Sequence, residues 1–422
     1  MSPKQIQSIK GTHDILPDQS WKWRQLETSL HNFMALYGYR EIRTPAFEET
    51  ELFSRSVGED TDIVSKEMYS WTDQGGTHLT LKPELTAPVV RSFIQHNLQG
   101  TSPITKLYYM DALFRRDRPQ KGRWRQFHQI GVESFGSGFP EQDGEVIIVA
   151  YNFFRELGLT DLTLKLNSIG YSECRTAYRE SLQDFLRPYF PDLSETSQKR
   201  FETNPLRILD TKVPHEIALL RNAPVISDYL SDEDLNHFEE VKAVLNECDI
   251  PYELDPRMVR GLDYYTRTTF EITSDVLGAQ NAICGGGRYD HLVETLGGKP
   301  IPAVGFAAGV ERIMLVLESS DSNAKPTNTD IYIVCLGDVS RMLALTLAET
   351  LRQKGLATET DMLRRSLKAQ LRDANRTGVK IAVIIGEKEM ENQNAQVKDF
   401  RTGDQSEIRQ DSLVDYIVDL NL

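Results

Sequence analysis

The 422-residue sequence lacks the features of a membrane or secreted protein. It has no run of about 18 or more apolar residues, the length that a membrane-spanning helix needs. Its first residues, MSPKQIQSIKGTHD, lack the apolar core of a signal peptide. We therefore expect a cytoplasmic location and no membrane partner.

Cysteine is scarce and widely spaced. The four cysteines, Cys174, Cys248, Cys284 and Cys335, form no CxxC pair. Cysteine-ligated zinc sites and disulfide frameworks both need cysteines at short, defined spacings or in larger numbers. We therefore expect reduced, structural cysteines and no zinc.

Net positive charge is also absent, because the formal net charge is −14. This balance disfavours a protein that coats nucleic acid non-specifically. A nucleic-acid partner must then use local basic patches. With 40% hydrophobic and 26% charged residues, the chain has the composition of a globular protein with room for two or three domains.

One strong basic patch lies within residues 108–136, YYMDALFRRDRPQKGRWRQFHQIGVESFG, which read as two strands joined by a loop. The loop carries six basic residues against one acid, Asp117. In the second strand a spacing of two places four residues on one face, namely Phe127, Gln129, Gly131 and Glu133. From Phe127 to Glu133 is about 20 Å, enough for a nucleotide at one end and a small polar molecule at the other.

The alternative is an exposed hairpin with a solvated basic tip. Gly131 argues against it, because glycine weakens the interior of a strand unless another group approaches closely there.

Other segments predict the surrounding scaffold. Residues 18–37 predict an amphipathic helix that buries Trp21, Leu26, Leu30, Phe33 and Met34, and residues 39–45 predict a short strand. TLKPELTAPVVRS (80–92) predicts a strand end followed by a helix that Thr86 could cap and Pro88 could start. By residue type alone, Glu84 is an acid favoured by the helix dipole.

The middle of the chain divides into a helical part and three short motifs. Residues 170–255 are mostly helical and contain no recognisable chemistry. In VRGLDYYT (259–266), Arg260 can hold a carboxylate, and the two tyrosines should lie on opposite faces of a strand. The glycine run of CGGGRYD (284–290) alone indicates a turn. AVGFAAGVER (303–312), read as a helix, places Gly305, Ala308, Gly309 and Arg312 on one face of small residues.

The C-terminal part begins after a polar linker, SSDSNAKPTNTD (319–330). Apolar runs at 331–336 and 379–385 bracket helical patterns at 340–354 and 366–376. This alternation predicts an α/β domain with a mostly parallel sheet. The domain has no GxGxxG or Walker loop, which disfavours nucleotide hydrolysis.

These motifs together resemble the histidyl-tRNA synthetase family of class II aminoacyl-tRNA synthetases. FRRDRPQKGRWRQFHQIGVESFG resembles class II motif 2, RGLDYY and CGGGRYD are similar to two histidine-specific signatures, and residues 18–45 and 303–312 resemble motifs 1 and 3. The resemblance runs from about Gly11 to the end. One departure is that the family often reads RPEGTA where this chain has Lys82 and Leu85.

The resemblance implies an α+β catalytic domain on a mixed, mainly antiparallel sheet flanked by helices. It also implies a helical insertion and a C-terminal α/β anticodon-binding domain. We expect the catalytic domain at 1–169 and 256–320, the insertion at 170–255, a linker at 321–329 and the anticodon-binding domain at 330–422.

The resemblance also implies the reaction: ATP and histidine form histidyl-adenylate and pyrophosphate, and the histidyl group passes to the 3′ terminal adenosine of tRNA(His). The implied catalytic residues are Arg115, Arg260 and Arg312. The implied histidine-binding residues are Glu84, Thr86, Gln129, Glu133, Arg260, Tyr265 and Tyr289. The implied ATP-binding residues are Arg115, Asp117, Arg123, Phe127 and Arg312, and Gln120 would contact the tRNA acceptor end.

We expect Mg²⁺ to accompany ATP without an assigned protein ligand, and motif 1 to form a homodimer. The alternative function is a catalytically silent, histidine-binding regulator of histidine biosynthesis. Such paralogues generally lack the RGLDYY signature and the terminal domain, and this chain has both. An accessory nucleic-acid-binding subunit would be expected to lose Arg115 or Arg312.

Overall fold

The computed structural model describes residues 4–58, 61–119, 122–259, 262–319 and 329–421. The chain divides into two compact units, Met1–Ser322 (unit 1) and Asn323–Leu422 (unit 2). Within the described ranges, no helix combines the length and the apolar character required to cross a bilayer.

Unit 1 is organised around an eight-stranded sheet. The strands of unit 1 are β1 Arg40–Glu41, β2 Phe47–Glu49, β3 Tyr69–Thr72, β4 His78–Leu81, β5 Thr105–Phe114, β6 Gln126–Phe135, β7 Thr163–Ser168, β8 Glu253–Leu254, β9 Thr266–Thr273, β10 Ala282–Arg288 and β11 Ala303–Gly309. The large sheet has the strand order β1-β5-β6-β11-β10-β9-β7-β8, and a smaller sheet has the order β2-β4-β3. In the large sheet the two outermost pairings are parallel and the pairings between them are antiparallel. The predicted mixed, mainly antiparallel sheet is confirmed.

Helices flank this sheet. They are α1 Ser20–Leu36, α2 Thr50–Val57, α3 Thr86–Gln95, α4 Pro140–Glu156, α5 Ser172–Leu186, α6 Glu195–Thr203, α7 Pro214–Leu220, α8 Asp232–Glu247, α9 Leu292–Thr295 and α10 Val310–Ser319. Short 3₁₀ segments at Arg187–Asp192, Pro205–Asp210 and Ile226–Tyr229 join the helices of the predicted insertion. Helix α1 buries all five of its predicted apolar residues, so that prediction is confirmed.

One apolar cluster lies between the large sheet and helices α1 and α4. Leu30 and Phe153 pack there against Ile130, Val132 and neighbouring strand residues. The alternation of β6 therefore turns Ile130 and Val132 into the core and the residues between them to the opposite face.

Two sequence expectations for the motifs are wrong. Residues 303–309 form a central strand, β11, between β6 and β10, and the helix begins only at Val310. The glycine run 285–287 is also strand, in β10. Small residues are needed in β11 for close packing rather than for a helix face, because a Cβ at Gly305 would overlap the Glu133 carboxylate and the Val132 carbonyl.

Unit 2 is built around a five-stranded sheet. Its elements are β12 Ile331–Cys335, α11 Asp338–Gln353, β13 Thr358–Thr360, α12 Leu367–Thr377, β14 Ile381–Ile385, α13 Glu387–Glu391, β15 Asn394–Asp399, β16 Gln405–Arg409 and α14 Leu413–Asp419. The strand order is β13-β12-β14-β15-β16. The β12–β13 and β12–β14 pairings are parallel, and the β14–β15 and β15–β16 pairings are antiparallel.

The two predicted helices of unit 2 are confirmed as α11 and α12, but the expected mostly parallel sheet is wrong. After β14 the connections are too short for the crossover that a parallel pairing requires, so β15 and β16 pair antiparallel. The predicted linker lies almost entirely at residues 320–328, outside the described residues.

Candidate active site

Two adjoining cavities lie along the face of β6 that is turned away from the core. The first, about 280 Å³, is named the arginine cavity for Arg115, Arg123 and Arg312 in its wall. The second, about 210 Å³, is named the tyrosine cavity because Tyr264, Tyr265 and Tyr289 line it. Both cavities share four lining residues: Arg115, Gln129, Gly285 and Ala307.

The predicted face of β6 runs the length of both cavities. Phe127 lines the arginine cavity, Glu133 lines the tyrosine cavity, and Gln129 lines both. The spacing-two prediction is therefore confirmed for these three side chains. The strand places an aromatic ring and a buried carboxyl group at opposite ends of the two adjoining cavities.

Cationic groups converge on the arginine cavity. The Arg115 guanidinium lies 5.2 Å from the centre of the Phe127 ring, and its Nε donates to the Pro83 carbonyl at 2.8 Å. Arg312 donates from Nη1 to the Ala282 carbonyl at 2.6 Å. Burial, followed by the positive charge of Arg123, lowers the pKa of Arg312. Since like charges are held together here, an entering anion would be stabilised.

Asp117 orients the tip of the β5–β6 hairpin. Its carboxylate accepts from Arg123 Nη1 at 2.9 Å and from the backbone N–H of Arg118 at 2.7 Å. The pair is partly exposed, so its contribution to stability is small. Its effect is to hold Arg123 on the wall of the arginine cavity.

Glu133 is the centre of the tyrosine cavity. Its carboxyl group is 1% exposed and accepts from the hydroxyls of Thr86 at 2.8 Å, Tyr109 at 3.0 Å and Tyr289. Burial raises the pKa of Glu133 to about 8, although the three hydroxyl donors oppose that shift. The group is therefore poised to gain or lose a proton near neutral pH.

Tyr109 is a site residue that the sequence reasoning missed. It lies directly opposite Gly131 in the hairpin, and a Cβ at Gly131 would come 2.5 Å from the Tyr109 hydroxyl oxygen. Gly131 is therefore the gap through which the tyrosine reaches Glu133. Counting the hairpin register could have identified this pair, because directly opposed residues share a face.

Glu84 stabilises the start of α3. Its carboxylate accepts from the backbone N–H groups of Thr86 at 2.8 Å and Ala87 at 2.9 Å. The helix-start interpretation of Glu84 is confirmed, whereas the expected cap by Thr86 is wrong: Thr86 is already helical, and its hydroxyl donates to Glu133. Glu84 and Thr86 also line the tyrosine cavity.

The placement of Tyr264 and Tyr265, the tyrosines of the RGLDYY signature, differs from the prediction. Tyr264 and Tyr265 precede β9 in a turn, and both line the tyrosine cavity with ring centres 4.7 Å apart. The prediction of opposite faces is wrong because strand alternation does not apply before Thr266. Tyr289 is a wall residue as predicted, and its ring makes an edge contact with Tyr264 at 5.5 Å.

The two departures from the family wording have separate consequences. Lys82 is 1% exposed, and its ammonium donates to Asp111 at 2.6 Å and to the Thr44 carbonyl at 3.1 Å, so the buried charge is paired. Leu85 is buried and lines the tyrosine cavity, adding apolar wall where the family often has glycine. Arg260 and Gln120, two predicted site residues, lie outside the described residues.

The described residues contain no group of three or more His, Cys, Asp or Glu side chains arranged to hold a metal ion. Four carboxylates line the arginine cavity: Glu67, Asp117, Glu271 and Glu311. Asp117 is paired with Arg123, and Glu311 accepts from the backbone and ring of His128 at 3.0 Å. Mg²⁺ usually needs only one or two carboxylates when substrate phosphates supply other ligands, and the cavity fits that pattern.

Comparison with known proteins gives a consistent result across the chain. A histidyl-tRNA synthetase family model matches residues 11–313, and an anticodon binding domain model matches residues 330–420. The histidine–tRNA ligase of Caldanaerobacter subterraneus subsp. tengcongensis is 47% identical, over 96% of this chain and 97% of that protein. The histidine–tRNA ligase of Synechococcus sp. (strain JA-3-3Ab) is also 47% identical, over 98% of this chain and 99% of that protein.

Two solved structures are informative. The apo histidyl-tRNA synthetase of S. aureus has a TM-score of 0.82 at 39% identity and covers 98% of this chain and 99% of its own. A Bacillus halodurans protein described as an ATP phosphoribosyltransferase regulatory subunit/histidyl-tRNA synthetase has a TM-score of 0.65 at 23% identity, covering 91% of this chain and 99% of its own. The second likeness concerns the fold alone.

The Gly131 gap gives a first prediction. In Gly131→Ala the new methyl group meets the Tyr109 hydroxyl and the Phe306 carbonyl, and a backbone carbonyl cannot move away cheaply. We expect a loss of about 1–3 kcal/mol or more of stability, measured as a lower melting temperature. Gly138→Ala is the control, since its Cβ would come no closer than 3.5 Å to Pro302. Equal melting temperatures for the two variants would contradict this account.

The raised pKa of Glu133 gives a second prediction. A carboxyl group with a folded pKa of about 8 and an ordinary value of 4.5 contributes stability that is complete below the ordinary value and is lost as pH rises through 8. Glu133→Gln does not titrate, so the melting temperature of the wild type should fall relative to the variant between about pH 5 and pH 9. Exposed Glu202→Gln serves as the control. A Glu133→Gln difference that does not change with pH would refute the buried-acid account.

Proposed function

The chain belongs to the histidyl-tRNA synthetase family, and from that premise we propose how its two cavities divide the work of a histidine–tRNA ligase. The enzyme joins histidine to ATP, releases pyrophosphate and passes the histidyl group to tRNA. In our proposal ATP occupies the arginine cavity and histidine occupies the tyrosine cavity. The observation that carries this assignment is that Arg115 and Gln129 line both cavities, so that the reacting groups of two substrates would meet between them.

The first step is attack by the histidine carboxylate on the α-phosphorus of ATP, with pyrophosphate leaving. Negative charge develops on phosphate oxygens, and guanidinium groups already aimed there lower the barrier without reorganising. We assign Arg115 at the junction to the α-phosphate, and Arg123 and Arg312 to the outer phosphates. Their positions are supported by the carbonyl and carboxylate contacts that hold them on the cavity wall.

The remaining ATP contacts follow from the same cavity. Adenine would stack on Phe127, whose ring lies close to the Arg115 guanidinium. Asp117 would act on ATP through the Arg123 that it orients. Mg²⁺, when bound with ATP, supplies positive charge that neutralises the phosphates, and its protein ligands would come from the carboxylates of the arginine cavity.

Histidine recognition would rest on complementary hydrogen bonds. A neutral imidazole has one donor and one acceptor nitrogen. When Glu133 is ionised it has about four acceptor positions, and three of them take the hydroxyls, which leaves one for a ring N–H. We assign the other ring nitrogen to Tyr265 and the side wall to Tyr289. A ligand without this pair of groups would leave buried polar atoms unsatisfied.

The backbone end of histidine lies, in this proposal, toward the junction. Gln129, Glu84 and Thr86 would hold the amino group, and Arg260 would hold the carboxylate. The contribution of Glu84 is supported by burial together with its fixed orientation at the start of α3. Gln120 would contact the acceptor end of tRNA(His).

We further propose a cytoplasmic location, no zinc, and anticodon binding by residues 330–422. Residues 1–169 and 256–320 would form the catalytic domain, with an insertion at 170–255 and a linker at 321–329. A silent regulator is disfavoured because both histidine-specific signatures are present and residues 330–420 match the anticodon binding domain model.

We propose a homodimer formed through the segment around α1 and β1. Sedimentation velocity should therefore give twice the mass of one chain. A monomer across the micromolar range would exclude the dimer.

The decisive test of the function is pyrophosphate exchange into ATP, measured with each of the twenty amino acids. We expect exchange with histidine alone. Arg312→Ala should reduce it on the order of 100-fold, because a preorganised charge at the phosphates is lost. Arg260→Ala should also lower exchange strongly, through loss of the carboxylate contact.

Arg187→Ala is a matched control, since Arg187 is an exposed guanidinium paired with Asp184 away from both cavities. Histidine binding without exchange would favour the regulator, and exchange with a different amino acid would refute the assignment of the tyrosine cavity.

A further inference from the structure

The helical insertion shares an apolar cluster with the pocket tyrosines. Tyr265 is buried together with Ile169, Tyr178 on α5 and Ile226. Around this cluster pack five partly buried residues, namely Leu206, Leu209, Tyr229, Leu262 and Tyr264. The back of the turn that carries Tyr264 and Tyr265 is therefore made of insertion side chains.

Arg175 on α5 fastens the same turn by its backbone. Its Nη1 donates to the carbonyl of Tyr265 at 3.0 Å and to the carbonyl of Asp263 at 3.4 Å. Burial lowers the pKa of Arg175, and the nearby Asp263 carboxylate opposes that shift. One guanidinium thus bridges the carbonyls on either side of Tyr264, which restricts the direction of both tyrosine side chains.

A second insertion segment holds the side chain of Asp263. Asn204 donates from Nδ2 to Asp263 Oδ1 at 3.4 Å, and Arg207 Nη2 lies 3.7 Å from the same oxygen. These contacts are partly exposed and individually weak. Asn204 and Arg207 thus approach the turn from a different part of the insertion than Arg175, which lies on α5.

The start of β9, which follows the turn, is held by α8. Arg267 has a left-handed backbone with φ of 47°, a conformation that non-glycine residues adopt only when their surroundings hold them. Its Nε donates to Asp234 at 2.7 Å, it also contacts Glu233, and its backbone N–H donates to the Gly170 carbonyl at 3.0 Å. The insertion therefore secures residues 263–267 on both sides of the tyrosine pair.

We propose that the helical insertion supports one wall of the amino-acid pocket from behind, and that Arg175 is the positioning residue that sets Tyr264 and Tyr265 in that wall. Only the identification of the pocket's ligand as histidine rests on the proposed function. The insertion then influences amino-acid affinity through these two tyrosines, besides any contact it makes with tRNA.

The test compares Arg175→Ala with Arg179→Ala in the full-length protein. Arg179 lies one turn further along α5 and also donates to a carbonyl, that of Thr203 at 2.7 Å, but within the insertion. Both variants remove one guanidinium–carbonyl contact from the same helix. Only Arg175→Ala removes a hydrogen bond to the turn that carries Tyr264 and Tyr265.

Two readouts separate positioning from general stability. Amide hydrogen exchange of residues 262–266 should become faster by about ten-fold or more in Arg175→Ala and stay unchanged in Arg179→Ala. The dissociation constant for histidine, by titration calorimetry, should rise on the order of ten-fold in Arg175→Ala, while that for ATP changes less than about two-fold. Arg175→Lys, which keeps the charge but not the planar fork, should lie between wild type and alanine.

The outcomes are distinguishable. If both alanine variants behave alike, or if histidine and ATP affinities fall in parallel, the positioning role is refuted. If Arg175→Ala does not fold, Arg175→Lys decides by the same two measurements. If wild type binds no histidine but exchange in residues 262–266 still depends on Arg175, the positioning stands and the proposed function fails.

Discussion

The structure of the site depends on the burial of one carboxyl group. Glu133 is almost completely inaccessible, and three hydroxyls from three separate elements donate to it: Thr86 on α3, Tyr109 on β5 and Tyr289 just after β10. An unsatisfied buried carboxylate would be strongly destabilising, so these elements must stay in register. Gly131 and Gly305 are needed because side chains there would occupy the space of Tyr109 and of the carboxylate.

The two cavities differ in how their polarity is arranged. The arginine cavity collects guanidinium groups whose mutual repulsion an anionic ligand would relieve. The tyrosine cavity is lined by hydroxyls and buried acids, and burial raises the pKa values of both Glu84 and Glu133. Because Arg115 and Gln129 border both spaces, the boundary between these environments is where a phosphate and an amino-acid carboxylate would react.

In our proposal, residues 170–255 form a helical insertion that also supports the amino-acid pocket. By composition residues 170–255 contain no recognisable chemistry. In the fold they contribute Tyr178 and Arg175 to the support of the turn that carries Tyr264 and Tyr265, and α8 pairs with Arg267 at the start of β9. Long side chains that reach backbone carbonyls from a distant segment leave no local pattern in the sequence, which explains why this connection is visible only in three dimensions.

Local patterns in the sequence by themselves determined the hairpin, the apolar face of α1 and the helices of unit 2. They also determined the face of β6 that holds Phe127, Gln129 and Glu133. The reason is that apolar residues recur every 3.6 residues on the buried face of a helix and every two residues on one face of a strand. Motif wording identified the family and with it the class of fold. Tertiary structure alone decided that residues 303–309 form a central strand and that Tyr264 and Tyr265 line one cavity. It also decided that the Thr86 hydroxyl donates to Glu133 while Glu84 stabilises the start of α3. These outcomes depend on contacts between residues far apart in the chain, and such contacts can override the propensity of a short segment.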